Sequence, residues 1–237
     1  MFKREKEAVK SPQLDSSVKT FAIQYNGEFE LHADRDYHIL DLFNYGVNDI
    51  GRVIAAGSIP VAYFSTQYED FQPARPDSSE FKPEWIHGGL DGWDGESVLK
   101  PEYMREFTQI MLKRVDLAVA KKFQAIDADN LDAYWFYHDS KSKATCAMYW
   151  NQIAEYARSK GLLVGLKNCS FLHGMVDPDF CVTESAYKWN ESEAYKRFGV
   201  PVLNTEYSKA MYDRSKQDDS VFSLYKHKIR MDSTEYH

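Results

Sequence analysis

The stretch FQAIDADNLDAY, residues 123–134, decides the fold. Side chains alternate along an extended chain, so Ala125, Asp127 and Asp129 share one face while Ile126 and Ala128 share the other. A helical pattern stands directly before it: YMREFTQIMLKRVDLAVAKK (103–122) sets Phe107, Met111, Val115 and Leu117 at near-helical spacing, with charged residues on the other face. A second, TCAMYWNQIAEYARSKG (145–161), ends on Gly161, a residue suited to a left-handed C-cap, and LLVGLKN (162–168) reads as the next strand. Strands alternating with helices imply parallel pairing through right-handed crossovers.

Outward from this core the same unit recurs. FAIQY (21–25), YHILDLF (37–43), IPVAYFS (59–65), FCVTE (180–184) and PVLNTEY (201–207) are further strands, VFSLYKH (221–227) makes an eighth, and each is expected to lead into a stretch of helical character. Seven or eight such units close a (β/α)8 barrel of the α/β class, and a doubly wound open sheet is the competing arrangement. The chain of 237 residues suits one barrel domain over 19–237, after a polar, mixed-charge lead-in over 1–18 that is expected to be flexible. The stretch TQYEDFQPARPDSSEFKPEWIHGGLDGWDGESVLKP (66–101) shows no obvious element, yet Trp85 and Trp93 need packing partners and argue against disorder.

Composition narrows the function classes. A net charge of -7 disfavours nucleic acid as a partner and suits a neutral or cationic ligand, and no apolar tract is long enough for a membrane span. The three cysteines, Cys146, Cys169 and Cys181, allow at most one disulfide, and Cys169 and Cys181 read as small apolar fillers. The N-terminus has no apolar core of a secretory signal, so either the protein stays inside the cell or the chain begins after processing. Oligomeric state is not legible.

Ionisable and polar residues end nearly every strand: Gln24 and Tyr25, Asp41, Tyr63, Asp127 and Asp129, Lys167 and Asn168, Glu184, then Glu206 and Tyr207. Barrel enzymes place their chemistry on that face. Asp127 is expected deeper in the barrel and held by hydrogen bonds, with Asp129 at the mouth; the other reading of DADNLDAY is a polar turn with Asp132 capping a helix. Two carboxyls from different strands can divide glycosidic cleavage between an ionised group and a proton donor, which makes Glu184 the partner of Asp129. Lys167 either favours the ionised member or is a buried ion-pair partner. Tyr25, Tyr63, Trp93, Tyr134, Trp135 and Tyr207 are candidate sugar-stacking walls. No HExxH, paired CxxC or glycine-rich phosphate loop occurs, so no cofactor and no metal are expected, although clustered carboxylates leave metal-assisted hydrolysis as an alternative.

The segments AYFSTQYED, LDGWDGE, AIDADNLDAY, GLLVGLKN, VTESAYKWNESEAY and LNTEY, in this order over about residues 21–207, resemble glycoside hydrolase family 114, the endo-α-1,4-polygalactosaminidases. The resemblance implies a (β/α)8 barrel, an endo-acting hydrolase and a substrate of α-1,4-linked galactosamine, including partly deacetylated galactosaminogalactan. It implies Asp129 and Glu184 as the catalytic carboxyls, assigned here as nucleophile and general acid/base of a retaining enzyme. Gln24, Tyr25, Asp41, Tyr63, Trp93, Asn130, Asp132, Lys167, Asn168, Glu206 and Tyr207 become candidates for substrate contact or support, with Asp41 or Glu206 as readers of a cationic sugar amine. The chain departs from the family at Ser185 and Ser192, where a cysteine pair is usual, and in SVLKPEY after LDGWDGE. A noncatalytic carbohydrate-binding barrel, or a similar hydrolase of another α-linked sugar, are the rival readings.

Overall fold

The computed structural model describes residues 19–70, 75–90, 92–136 and 142–226, so the lead-in expected over 1–18 lies outside the described residues. In chain order the first elements are β1 (Phe21–Gln24), β2 (Tyr37–Asp41), α1 (Val47–Ala55), β3 (Ile59–Ser65), β4 (Tyr68–Glu69), β5 (Ile86–Leu90), β6 (Trp93–Leu99) and α2 (Met104–Ala120). There follow β7 (Ala125–Asp129), α3 (Ala133–Phe136), α4 (Lys143–Ser159), β8 (Leu163–Lys167), β9 (Phe180–Glu184), α5 (Ser192–Lys196), β10 (Val202–Glu206), α6 (Lys209–Ser215) and β11 (Phe222–Tyr225).

Eight strands pair in parallel in the order β1-β2-β3-β7-β8-β9-β10-β11. Alternation along them splits the core in two. Phe21, Ile23, Tyr37, Ile39, Val61, Ala125, Leu163, Phe180, Val182, Leu203 and Leu224 form one cluster to which all eight strands contribute and no helix does. An open sheet covered by helices on both faces has no such cluster, so the sheet is curled into a barrel. Tyr37 of β2 meets Phe180 of β9 across the interior at 5.4 Å between ring centroids. The two ends of the sheet meet through Phe21 and Phe222, 5.9 Å apart edge to face, and through the Lys226 ammonium, which donates to the Ile23 carbonyl at 2.9 Å. Gly165 in β8 is required by this filling, since a Cβ there would lie 2.7 Å from the Phe180 ring.

The opposite strand face, with Ile126, Ala128, Val164 and Leu166, packs against Phe107, Met111 and Val115 of α2 and Trp150 and Ile153 of α4. α4 starts on the Ser142 hydroxyl, which accepts the Thr145 N–H, and stops at Gly161, whose φ of 85° is the left-handed cap expected there. All three cysteines are buried and unpaired with one another.

Two expectations are corrected. The crossover from β1 to β2 is a loop without a helix. Within 66–101, β4, β6 and β5 form a three-stranded antiparallel sheet over the mouth side of β3, and Trp85 is buried in the outer core. Gly88, Gly89, Gly92 and Gly95 and an exposed first half of β6 remove the apolar alternation by which a strand is read.

Candidate active site

Each of the three central side chains ends a strand and is followed at once by a non-glycine residue at positive φ. Asn130 (63°) follows Asp129, Asn168 (52°) follows Lys167, and Ser185 (60°) follows Glu184. A left-handed residue turns the chain out of the strand in one step, and such backbone is held only where its surroundings enforce it. Here they do. The Ser185 N–H donates to the Thr205 carbonyl at 2.7 Å and Asn168 N–H to the Val182 carbonyl at 3.1 Å.

Lys167 is completely buried, and its ammonium lies 3.4 Å from Asp129 Oδ2, 3.8 Å from Glu184 Oε1 and 3.8 Å from Asp127 Oδ2. It donates a hydrogen bond to the Tyr25 hydroxyl at 3.0 Å. Burial works against the charged ammonium, but Asp129 and Glu184, then Tyr25 and Asp127, outweigh it and hold the group well above the ordinary lysine range. The two mouth carboxylates share one cation, so their nearest oxygens are separated by no more than the sum of the 3.4 and 3.8 Å contacts.

Both carboxylates are fixed on every oxygen. Asp129 Oδ1 accepts the Asn130 N–H at 2.8 Å, and Oδ2 accepts the Tyr63 hydroxyl at 3.1 Å. Glu184 Oε1 accepts the Tyr207 hydroxyl at 2.6 Å, and Oε2 accepts Asn168 Nδ2 at 3.2 Å. Asn168 Oδ1 in turn accepts the Glu184 N–H at 3.0 Å, a two-point clamp. Tyr25 stacks on Tyr63 with centroids 3.8 Å apart, forming one wall. The Glu184 side chain is 27% exposed and that of Asp129 11%, so both reach the mouth. Asp132, whose carboxyl pKa burial and then the Asp129 charge raise to about 7, sits beside them.

Several expected site residues serve elsewhere. Gln24 faces away from the interior and ties the loop beyond β1, donating to the Asn26 and Glu28 carbonyls and accepting the Glu30 N–H. Asp41 has the interior register but is taken by Arg75, 2.6 Å away, and by the N–H groups of Phe43 and Asn44. Glu206 lies on the outer face, where Oε1 accepts the Tyr187 N–H at 2.9 Å and holds the loop after β9. Tyr134 is buried in the outer core against Tyr149, and Trp135 stacks on Phe171. Trp93 is 45% exposed at the start of β6. Asp127, expected to be held by hydrogen bonds, makes none among the described residues; burial, partly countered by Lys167, moves it up to about 7.

Unforeseen in the sequence was Glu96, in the middle of β6. Its Oε2 accepts Asn130 Nδ2 at 3.3 Å, and Asn130 Nδ2 also donates to Ser65 Oγ at 2.9 Å. LDGWDGE signals a turn but does not say that the hairpin returns a carboxyl to Asp129. Equally unforeseen was the charge network under that hairpin. Arg75 bonds both Glu69 oxygens at 3.2 Å, and Arg114 reaches Asp77 at 2.7 Å, Glu69 at 3.3 Å and the Ser65 carbonyl at 2.6 Å. Among the described residues no group of three or more His, Cys, Asp or Glu side chains is arranged to hold a metal ion. A lysine ammonium fills the centre of the carboxylates instead.

The family model described as glycoside-hydrolase family GH114 matches residues 3–234. Among solved structures, Ega3 of Aspergillus fumigatus, in complex with galactosamine, is similar at 23% identity with a TM-score of 0.85, over 98% of this chain and 100% of that chain. The glycoside hydrolase domain of PelA from Pseudomonas aeruginosa is similar at 15% identity with a TM-score of 0.70, over 90% of this chain and 96% of that chain. No curated protein sequence matches.

Proposed function

The chain belongs to glycoside-hydrolase family GH114 and is a glycosidase, and on that premise we propose that it cleaves internal bonds of α-1,4-linked galactosamine polymers with Asp129 and Glu184. The observation that carries this reading is the single Lys167 ammonium shared between those two carboxylates at 3.4 and 3.8 Å. The galactosamine bound to Ega3 supports the sugar, and an excess of acidic over basic groups at the mouth suits a cationic one.

Asp129 is the nucleophile. It receives an N–H, a hydroxyl and the nearer ammonium contact, and it is the more buried of the pair. Glu184 is the general acid/base, the more exposed of the two and the farther from the ammonium. In the first step an Asp129 oxygen bonds to the anomeric carbon as the carbon–oxygen bond to the leaving sugar breaks, and the Glu184 proton passes to that oxygen. In the second, Glu184 takes a proton from water as the water oxygen bonds to the same carbon and Asp129 leaves. Retaining enzymes hold their carboxyls about 5–5.5 Å apart and inverting ones about 6.5–9.5 Å, and the bound set by Lys167 reaches only the lower end of the second range.

The test is incubation of the wild type, Asp129→Asn and Glu184→Gln with deacetylated galactosaminogalactan and with plain α-galactosides. The wild type is expected to release oligomers of retained anomeric configuration, and each substitution to lower turnover by ~10²–10⁴-fold. Absence of cleavage of the amino polymer sinks the substrate, and inverted product sinks the nucleophile.

A further inference from the structure

We propose that Glu96 is the specificity-determining residue for the amine, meeting the charged nitrogen on carbon 2 of the sugar whose carbon 1 is attacked by Asp129. The inference rests on the galactosamine reading above and deepens it. With Asp41 closed by Arg75 and Glu206 turned to the outer face, neither expected amine reader is at the mouth. Glu96 is. The β4–β6 ladder sets Glu96 directly opposite Glu69, two like groups on one face. Glu69 is neutralised by Arg75 and Arg114, whereas Glu96 is half-buried and makes no ion pair among the described residues. Its one hydrogen bond there comes from Asn130, the neighbour of the nucleophile. Carbon 2 adjoins the reacting carbon, so its substituent falls beside Asp129, and Asn130 ties Glu96 to that side.

The charged groups facing Glu96 are Glu69 from β4, Asp129 from β7 and Arg75 from the loop before Pro76, with Asn130 as hydrogen-bond donor. Burial, then the repulsion of Glu69 and Asp129, raises Glu96 to about 8, and Arg75 and Asn130 only partly oppose this. At neutral pH the free enzyme therefore carries a proton on Glu96. An arriving ammonium supplies the missing counter-charge, so the carboxylic acid becomes a carboxylate paired with the sugar nitrogen and its proton passes to solvent. An N-acetylated unit carries no charge there and leaves the acid protonated. Recognition of the amine is thus coupled to release of one proton.

Calorimetric titration at pH 7, in two buffers of different ionisation enthalpy, reads this directly, with an α-1,4-galactosamine oligomer and Glu184→Gln protein to prevent turnover. Proton release is expected with Glu96 present and is expected to vanish when Glu96→Gln is added, a change that preserves an acceptor for Asn130. In the active background, Glu96→Gln should lower the kcat/KM preference for free-amine over N-acetylated oligomers by about tenfold or more. Release that persists in Glu96→Gln, release abolished instead by Asp132→Asn, or an unchanged preference each overturns the assignment. Failure of the wild type to bind or cleave the amine oligomer overturns the substrate reading as well, and so is told apart from failure of this one.

Discussion

Two buried charge clusters, one beneath the β5–β6 hairpin and one at the strand ends, are built on opposite principles. Beneath the β5–β6 hairpin, Asp41, Glu69 and Asp77 are bridged by the guanidiniums of Arg75 and Arg114 through contacts of 2.6 to 3.4 Å, with hydrogen bonds to both oxygens of each acid. At the strand ends, Asp127, Asp129 and Glu184 share one ammonium at 3.4 to 3.8 Å. The first cluster is nearly balanced and geometrically saturated; it fastens an insertion to the barrel. The second is short of positive charge. Three acids on one cation leave unsatisfied field at a place open to solvent, which is a reason for a ligand to bind rather than for a loop to stay down.

That contrast can be broken most forcefully by Lys167→Met. Activity is expected to fall by ~10²–10³-fold, because both mouth carboxylates lose the charge that orients them. The loss of stability should be the smaller consequence, since the acids can take up protons, and a melting curve with an activity assay on the same sample separates the two. Arg114→Met should do the reverse, lowering stability by about 3–5 kcal/mol in denaturant titrations while the folded fraction still turns over substrate. If Arg114→Met abolished turnover in folded protein, the saturated cluster would belong to the chemistry after all. Asn168→Ala removes the clamp on Glu184 without touching charge, and a drop in kcat of about 10–100-fold is expected from loss of orientation. The smallest effect is expected for Asp127→Asn. Because the Asp127 carboxyl is raised in the fold from 3.8 to about 7, its contribution to stability is present below about 4 and is lost as pH rises toward 7. Urea midpoints measured across that window should slope less steeply in the Asn variant.

Much of this could be read from the chain, and the failures are instructive. The eight barrel strands were legible because they are buried on both faces and so appear as apolar runs between helical stretches. Alternation placed Asp129 inward, Lys167 and Glu184 were read from their positions at the ends of neighbouring strands, and the structure brings the three together. Alternation also held the signal that was missed at Gln24 and Glu206: Gln24 is one residue beyond the inward Ile23 and Glu206 three beyond the inward Leu203, so each falls on the opposite face and points to the helices. Asp41 is different. It has the inward register, and only the arrival of Arg75, 34 residues later in a stretch without periodicity, removes it from the mouth. Glu96 was hidden for the same reason. Glycine-rich hairpins carry no pattern that reveals where their side chains return, and long-range pairing of that kind is fixed by the folded charges around it.

Asn130, Asn168 and Ser185 leave the strands within one residue of the chemistry. The side chains that matter are thereby mounted on the barrel, and the chain beyond each turn is free to change length and composition. The molecule is divided into a fixed chassis and exchangeable fittings. Loops grafted in after these three positions would alter which glycan reaches the carboxylates without moving the carboxylates themselves, so redesign toward another polymer begins by keeping three left-handed residues and replacing the loops that they open.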